Sequence, residues 1–454
     1  MVFWQEDSDK RKLPAALPGK PTMFSSAETD LARRDPAVPG LATVLDPDAF
    51  VAELRRAAPQ ADLRAARVTY VRYKPQSYCR AAYQLDVAGA PSEVGVRACR
   101  PEDLARWCEV GEAAKVSGPF GPGRIVLPDQ ALLVSVFPND LKLPALQHLA
   151  DAAKRKRVLR EVLSDCQNLW QSELRCLRYR PERRYVAELR AADGTRALLK
   201  SYTRNAYGRG KTNARAFASR GLLRIARLLG CSDQHRLLAF EWLPGRLLME
   251  LCTAPELDDD ALKLTGAALA TLHAQNGDDL FCWTREDEVK DLLSLASEIG
   301  FICPPLARRA DQVAQRLAAH LADAPAMGCA RHGDFSANQV LVSDENVAII
   351  DLDWACRGDP ADDLGNFLAQ AERLALRGEL PPDRVGLLKE SLLEGYALAN
   401  GHRLPERVEL YTAVEVFRRT RFPFRAREAD WPQRTEALLE RAAQILNTLP
   451  EEQP

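Results

Sequence analysis

The order of apolar and polar positions divides the chain into two styles. Up to Gly245 the apolar residues come in short runs rich in Val, Tyr and Leu and broken by Pro, the pattern of hairpin strands. "VTYVRYKPQSYCRAAYQLDV" (Val68–Val87) is answered by "LRCLRYRPERRYVAELRAAD" (Leu174–Asp193). "VGVRAC" (Val94–Cys99) is answered by "ALLKSY" (Ala197–Tyr202), and "QALLVSVFPNDL" (Gln130–Leu141) by "HRLLAFEWLPGRL" (His235–Leu247). Three matches in the same order predict a duplicated small sheet unit, with convergent strand patterning as the alternative. Beyond Gly245, stretches such as "LDDDALKLTGAALATLHAQ" and "RADQVAQRLAAHLADA" carry apolar residues at helical spacing behind acidic starts.

One segment of the helical half breaks that style. "QVLVSDENVAIID" (Gln339–Asp351) places two β-branched runs around a turn-forming "SDEN" and predicts a hairpin. Folded about Glu345, it sets Val342 opposite Ala348 and Gln339 opposite Asp351, bringing an amide oxygen and a carboxylate to one end of a rigid element. Residues 1–40, rich in Pro, Ser and charge without an apolar period, are expected to form a mobile tail. The expected organisation is therefore a tail over 1–40, a first sheet domain over 41–150, a second over 151–245 and a mostly helical part over 246–454.

Composition narrows the function classes. The 62 Lys+Arg nearly balance 63 Asp+Glu in 454 residues, which lacks the basic excess of a nucleic-acid binder. No run approaches the roughly 20 apolar residues of a membrane helix. The opening "MVFWQEDSDKRKLPAALPGK" also lacks a signal peptide's apolar stretch, so a cytoplasmic location without membrane partners is expected. The 11 cysteines are scattered without C-x-x-C pairs, as suits reduced thiols.

The chemistry concentrates around the hairpin. "HGD" (His332, Gly333, Asp334) precedes it and "IDLDWACRGDPADDLGNF" follows, so Asp334 and Asp351 flank it with Gln339 between them. Hard oxygen donors converging in this way suit Mg²⁺. An H-G-D loop, an I-D motif one hairpin later and a G-D-P-x-x-D-L segment together resemble the aminoglycoside phosphotransferase and choline kinase superfamily. That resemblance covers roughly Leu174 to the C terminus. It implies an α+β, protein-kinase-like two-lobed fold, here preceded by an extra N-terminal domain that looks like a duplicated small lobe. The activity implied is transfer of the γ-phosphoryl group of ATP, with Mg²⁺, to a hydroxyl of a small molecule.

Carried over residue by residue, the resemblance makes Asp334 the catalytic base and Asp351 the principal metal ligand. His332 would brace the loop, and Asp359 and Asp363 would hold its backbone. Lys200 in "ALLKSY" would grip the phosphates, and the backbone of Glu241 and Leu243 in "LLAFEWLPGRLL" would receive the adenine. "RYRPERRYVAEL" stands where a glycine-rich phosphate hairpin belongs, and there Arg183 and Arg184 would supply the charge. Gln339 occupies the position usually held by a metal-binding Asn; the maltokinase branch resembles the chain in carrying Gln there and an extra domain in front.

Three points stay open. The stretch "KTNARAFASRGLLRIARLLG", where a helix should offer Lys200 a glutamate, contains none, so either Glu188 substitutes or the lysine is held differently. Asp353 is either a supporting group or a polar cap. The arginines of "FRRTRFPFRAR" (Phe417–Arg427) favour a neutral or anionic acceptor such as a sugar if they face the acceptor site, and favour nothing if they are solvated. A pseudokinase that keeps the fold as a nucleotide-binding or regulatory module is the alternative function. Because Arg97 matches Lys200 in the first copy, that copy is expected to bind no nucleotide, and Arg97→Ala to leave Mg·ATP affinity unchanged.

Overall fold

The computed structural model describes residues 25–109, 116–325, 327–344 and 346–450. Residues 1–24 of the expected tail lie outside the described residues. Its remainder is not a tail: Ser26–Arg34 is a helix started by a capping box, in which the Ser25 N–H donates to Glu28 (2.9 Å). A single buried leucine, Leu31, and an ion pair from Glu28 to Arg427 (2.5 Å) hold this polar helix. An apolar period is absent because one side chain per two turns suffices.

Two five-stranded antiparallel sheets follow. The first contains β1 (Leu63–Lys74), β2 (Tyr78–Val87), β3 (Ala90–Cys99), β4 (Arg124–Leu127) and β5 (Leu132–Val136), in the order β1-β2-β3-β5-β4. Strand alternation builds its core: Cys79, Ala81, Tyr83 and Leu85 of β2 are buried, while Arg80, Gln84 and Asp86 between them are partly exposed. The second sheet contains β6 (Glu173–Arg180), β7 (Arg184–Arg190), β8 (Arg196–Tyr202), β10 (Leu228–Ser232) and β11 (Leu237–Glu241), in the order β6-β7-β8-β11-β10. The two sheets thus share one topology. Arg97 sits on β3 opposite Arg80 and Leu133, as Lys200 sits on β8 opposite Val186 and Leu238. The second core also takes in Leu143, Leu146 and Leu149, so it begins several residues before the boundary expected at 150.

The stretch from Lys211 to Gly230, expected to be helical, is helix only as far as Ala216. It then forms β9 (Leu223–Arg224), which joins a small third sheet with β12 (Arg246–Leu247), β14 (Val340–Val342) and β15 (Val347–Ile349); β13 (Cys329–Arg331) pairs with β16 (Cys356–Gly358). The predicted hairpin is β14–β15, one step out of the expected register. Val342 pairs with Val347, and the Ile350 N–H donates to the Gln339 carbonyl (2.9 Å), so Gln339 faces Ile350 and not Asp351. Ser343 and Asn346 exchange backbone hydrogen bonds, which centres the pairing between residues 344 and 345.

The rest is helical, packed around Leu269, Leu317, Phe335, Leu364 and Phe417. Ile302, Phe424 and Trp431 of this half are buried in the core of the first sheet, and Arg34 donates to the carbonyls of Phe301 and Ile302. Among the described residues no helix is long and apolar enough to cross a membrane.

Candidate active site

The loop that follows β13 is held from three sides. Gly333 has φ +74°, and a Cβ there would lie 2.3 Å from the Trp354 carbonyl oxygen, so only glycine fits. Asp363, in the first turn of the helix Ala361–Leu376, accepts the backbone N–H groups of His332 (2.6 Å) and Gly333 (2.8 Å) and pairs with His273 Nε2 (3.0 Å). Burial pushes its carboxyl up, but the His273 hydrogen bond and the nearby Arg331 guanidinium hold it below the usual range. His332 Nδ1 accepts the Asp334 N–H (3.2 Å), which leaves the ring proton on Nε2 to donate to the Ile350 carbonyl (2.9 Å). Asp359 caps the same helix through the Ala361 N–H (3.0 Å) and pairs with Arg407 (2.7 Å).

This bracing presents Asp334 to the cleft. Its side chain is exposed, and its carboxylate makes no hydrogen bond or ion pair among the described residues. The residues packed around its solvent-open side chain nonetheless disfavour its charged form and raise its pKa, and the Asp351 carboxylate adds to the rise. Gln339, by contrast, is buried with its Oε1 accepting the Ser336 hydroxyl.

Asp351 ends the hairpin in a left-handed conformation (φ +66°, ψ 48°), which Asp tolerates better than most residues. The chain then enters a short 3₁₀ turn, Leu352–Trp354, and the carbonyls of Leu352 and of Ala355 just after the turn accept from Asn213 (2.9 and 3.0 Å). That bend lets Asp351 and Asp353 meet the same cations. Lys200 Nζ donates to Asp351 (2.7 Å) and Asp353 (3.0 Å); Arg184 donates to both, and Tyr202 OH to Asp353 (2.8 Å). Arg184 and Lys200 hold the Asp351 carboxyl well below its ordinary pKa although burial works against them. Glu188 is not the lysine's partner. It is taken by Arg196 (2.6 Å) and Arg190 (3.2 Å), because it lies opposite Leu198, two residues from Lys200.

A cavity of about 350 Å³ opens beside these groups, a size typical of small-ligand sites. Lys200, Phe240 and the segment Glu241–Gly245 line one side, and Leu341, Ile349, Asp351 and Asp353 the other. The Glu241 N–H donates to the Arg227 carbonyl (3.0 Å), whereas the Leu243 N–H donates no hydrogen bond among the described residues.

Residues 177–411, more than half of the chain, match the phosphotransferase enzyme family. The chain belongs to that family. Among solved structures, this phosphotransferase is similar to a thermostable mutant of aminoglycoside phosphotransferase APH(4)-Ia in ternary complex with ADP and hygromycin B. Identity is 16%, the match covers 61% of this chain and 94% of that one, and the TM-score is 0.45. It is also similar to macrolide 2′-phosphotransferase MphH from Brachybacterium faecium (22% identity, 62% and 93% covered, TM-score 0.40). A third is choline kinase LicA from Streptococcus pneumoniae (15%, 65% and 99%, 0.46). No curated protein matches the chain significantly.

Sequence reasoning leaves Asp353 open between a supporting group and a polar cap; the left-handed turn at Asp351 and the 3₁₀ turn after it bring both carboxylates to Lys200 and Arg184. It misses Arg178, which together with Arg183 donates no side-chain hydrogen bond among the described residues. Burial and the neighbouring Arg184 push the Arg178 guanidinium down to about 10, with Asp351 opposing. Burial also lowers the pKa of Arg183. The arginines of Phe417–Arg427 mostly look inward: Arg418 and Arg419 pair with Glu415, Arg425 with Glu298 and Arg427 with Glu28.

Proposed function

We propose that the protein transfers the γ-phosphoryl group of ATP to a hydroxyl of a small molecule, with Asp334 as the general base. The observation that carries this is the convergence of an exposed, uncommitted Asp334 carboxylate with a lysine–carboxylate cluster beside a cavity of nucleotide-subsite size. A hydroxyl set against Asp334 would lose its proton to a carboxylate whose raised pKa makes it a better acceptor than an ordinary aspartate. Lys200 and Arg184 would turn toward the phosphates, and the backbone of Glu241 and Leu243 would meet the base from the strand β11 side.

The donors offered to Mg²⁺ are the Asp351 and Asp353 carboxylates, which lie side by side, and the buried Asn338 amide, neither of whose polar atoms is hydrogen-bonded among the described residues; Gln339 would join them only by releasing the Ser336 hydroxyl. Bound there, the ion would supply charge neutralisation on the phosphate oxygens.

For the acceptor, a neutral or anionic hydroxyl compound such as a sugar or sugar derivative is favoured over a polycation. The support has moved from the C-terminal arginines, most of which are internally paired, to Arg178 and Arg183, whose guanidinium groups feel the Asp334 carboxylate and donate no side-chain hydrogen bond among the described residues. Screening sugars, sugar phosphates, amino alcohols and aminoglycosides for stimulated ADP release tests this. Stimulation by a neutral or anionic sugar is expected; a response to aminoglycosides alone would overturn the acceptor class. Failure of calorimetry to detect Mg·ATP binding would overturn the kinase assignment itself.

A further inference from the structure

The turn between β6 and β7 is fastened to the first sheet. Glu182, at its tip, has φ +57° and is only 7% exposed. Its carboxylate lies among three cations, all from the first repeat and the segment after it. Arg97 donates through Nε (2.9 Å) and Nη2, while Lys142 (3.5 Å) and Arg80 (3.6 Å) flank the pair. The Glu182 N–H donates to Asp140 (2.7 Å), which also accepts the Tyr179 hydroxyl (2.8 Å). Beside it, Pro181 packs so closely on β3 that a Cβ at Gly95 would stand 2.7 Å from the Pro181 Cβ. Arg97 is itself stacked on Trp107, 3.7 Å from the ring centroid.

Arg97 therefore occupies the position in the first sheet that Lys200 occupies in the second, and it holds a carboxylate from the partner repeat. We propose that Glu182 is a positioning residue: anchored by Arg97, it fixes the β6–β7 turn and so aims Arg183 and Arg184 at the cleft. The first sheet thereby becomes part of the nucleotide site without touching nucleotide. This runs counter to the expectation that Arg97→Ala leaves Mg·ATP affinity unchanged, and it rests on the cleft being the nucleotide site.

The test is calorimetry of the full chain with Mg·ATP. Glu182→Gln, which keeps shape but removes the charge, is expected to weaken binding about tenfold, the worth of one charge-assisted hydrogen bond, with binding stoichiometry unchanged. Gly95→Ala, which displaces Pro181 without altering any charge, is expected to weaken it in the same sense. In an Arg184→Ala background, Glu182→Gln is expected to add less than twofold, because the effect runs through the hairpin arginines. A purely structural residue would lower stoichiometry or Tm and leave the affinity of the folded fraction alone; that result in both single variants overturns the inference. If Glu182→Gln does not fold, Gly95→Ala and Arg97→Lys decide by the same criterion. Wild type failing to bind Mg·ATP would overturn the nucleotide site together with the inference, whereas wild type binding with unaffected variants overturns the inference alone.

Discussion

Replacing Lys200 with methionine separates what the lysine does for the fold from what it does for the nucleotide. Lys200 is 4% exposed and makes charge-assisted bonds of 2.7 and 3.0 Å to Asp351 and Asp353. Removing one partner of a buried pair typically costs about 3–5 kcal/mol, because a charge is left uncompensated. Here Arg184 still bonds both carboxylates and Tyr202 still bonds Asp353. The cost should therefore fall to about 2 kcal/mol, close to one lost charged hydrogen bond. In a chain this long that moves Tm by only about 3 °C. On the proposed assignment Mg·ATP would lose a cation on its phosphates, worth about 1.5–3 kcal/mol, so Kd should rise roughly tenfold to hundredfold. Differential scanning calorimetry and titration calorimetry on the same preparation read both numbers. A large fall in Tm with unchanged Kd would show that Lys200 is a structural bridge and refute the reasoning.

Asp334→Asn should abolish phosphoryl transfer while leaving Mg·ATP affinity within about twofold, because the base acts on the acceptor and not on the nucleotide; transfer within tenfold of wild type would remove Asp334 from the mechanism. Since its pKa is raised, wild-type kcat/KM for the acceptor should decline as pH falls through a value above the ordinary carboxylate range, and hold level on the alkaline side; a flat profile down to pH 4 would contradict this. Asp351→Ala should weaken Mg·ATP binding and also destabilise by about 3–5 kcal/mol, since two buried cations keep only Asp353, and equal Tm values would disprove the second part. Asp363, with its depressed pKa, contributes stability that is present above the unfolded carboxylate pKa and is lost as pH falls toward the folded one. Asp363→Asn should therefore flatten the acid limb of Tm against pH.

What was legible in the sequence was what repeats or punctuates. Two copies of one strand pattern gave two sheets of identical order, and Gly333 and the acids after the hairpin marked a loop braced by Asp363. Illegible were features that depend on one residue of register or one backbone dihedral. The hairpin closes between residues 344 and 345, which moves Asp351 off the pairing with Gln339, and the positive φ at Asp351 then turns Asp353 into the cluster. Charge identity misled where partners are distant in sequence. Arg427 finds Glu28 and Arg97 finds Glu182, and no local pattern announces either pair.

The burial of Ile302, Phe424 and Trp431 in the core of the first sheet has a mechanical consequence. The two lobes are joined through Glu241–Gly245, through β9 alongside β15 and through Asn213 on the Leu352 and Ala355 carbonyls. Here a third body is glued by apolar contact to one lobe and latched through Pro181 and Glu182 to the other. A swing of the lobes would strain one of those two attachments. The polar latch, a single carboxylate among cations, is the one that can slip and re-form without exposing aromatic side chains to water. The first sheet thus ties the two lobes together from outside the cleft.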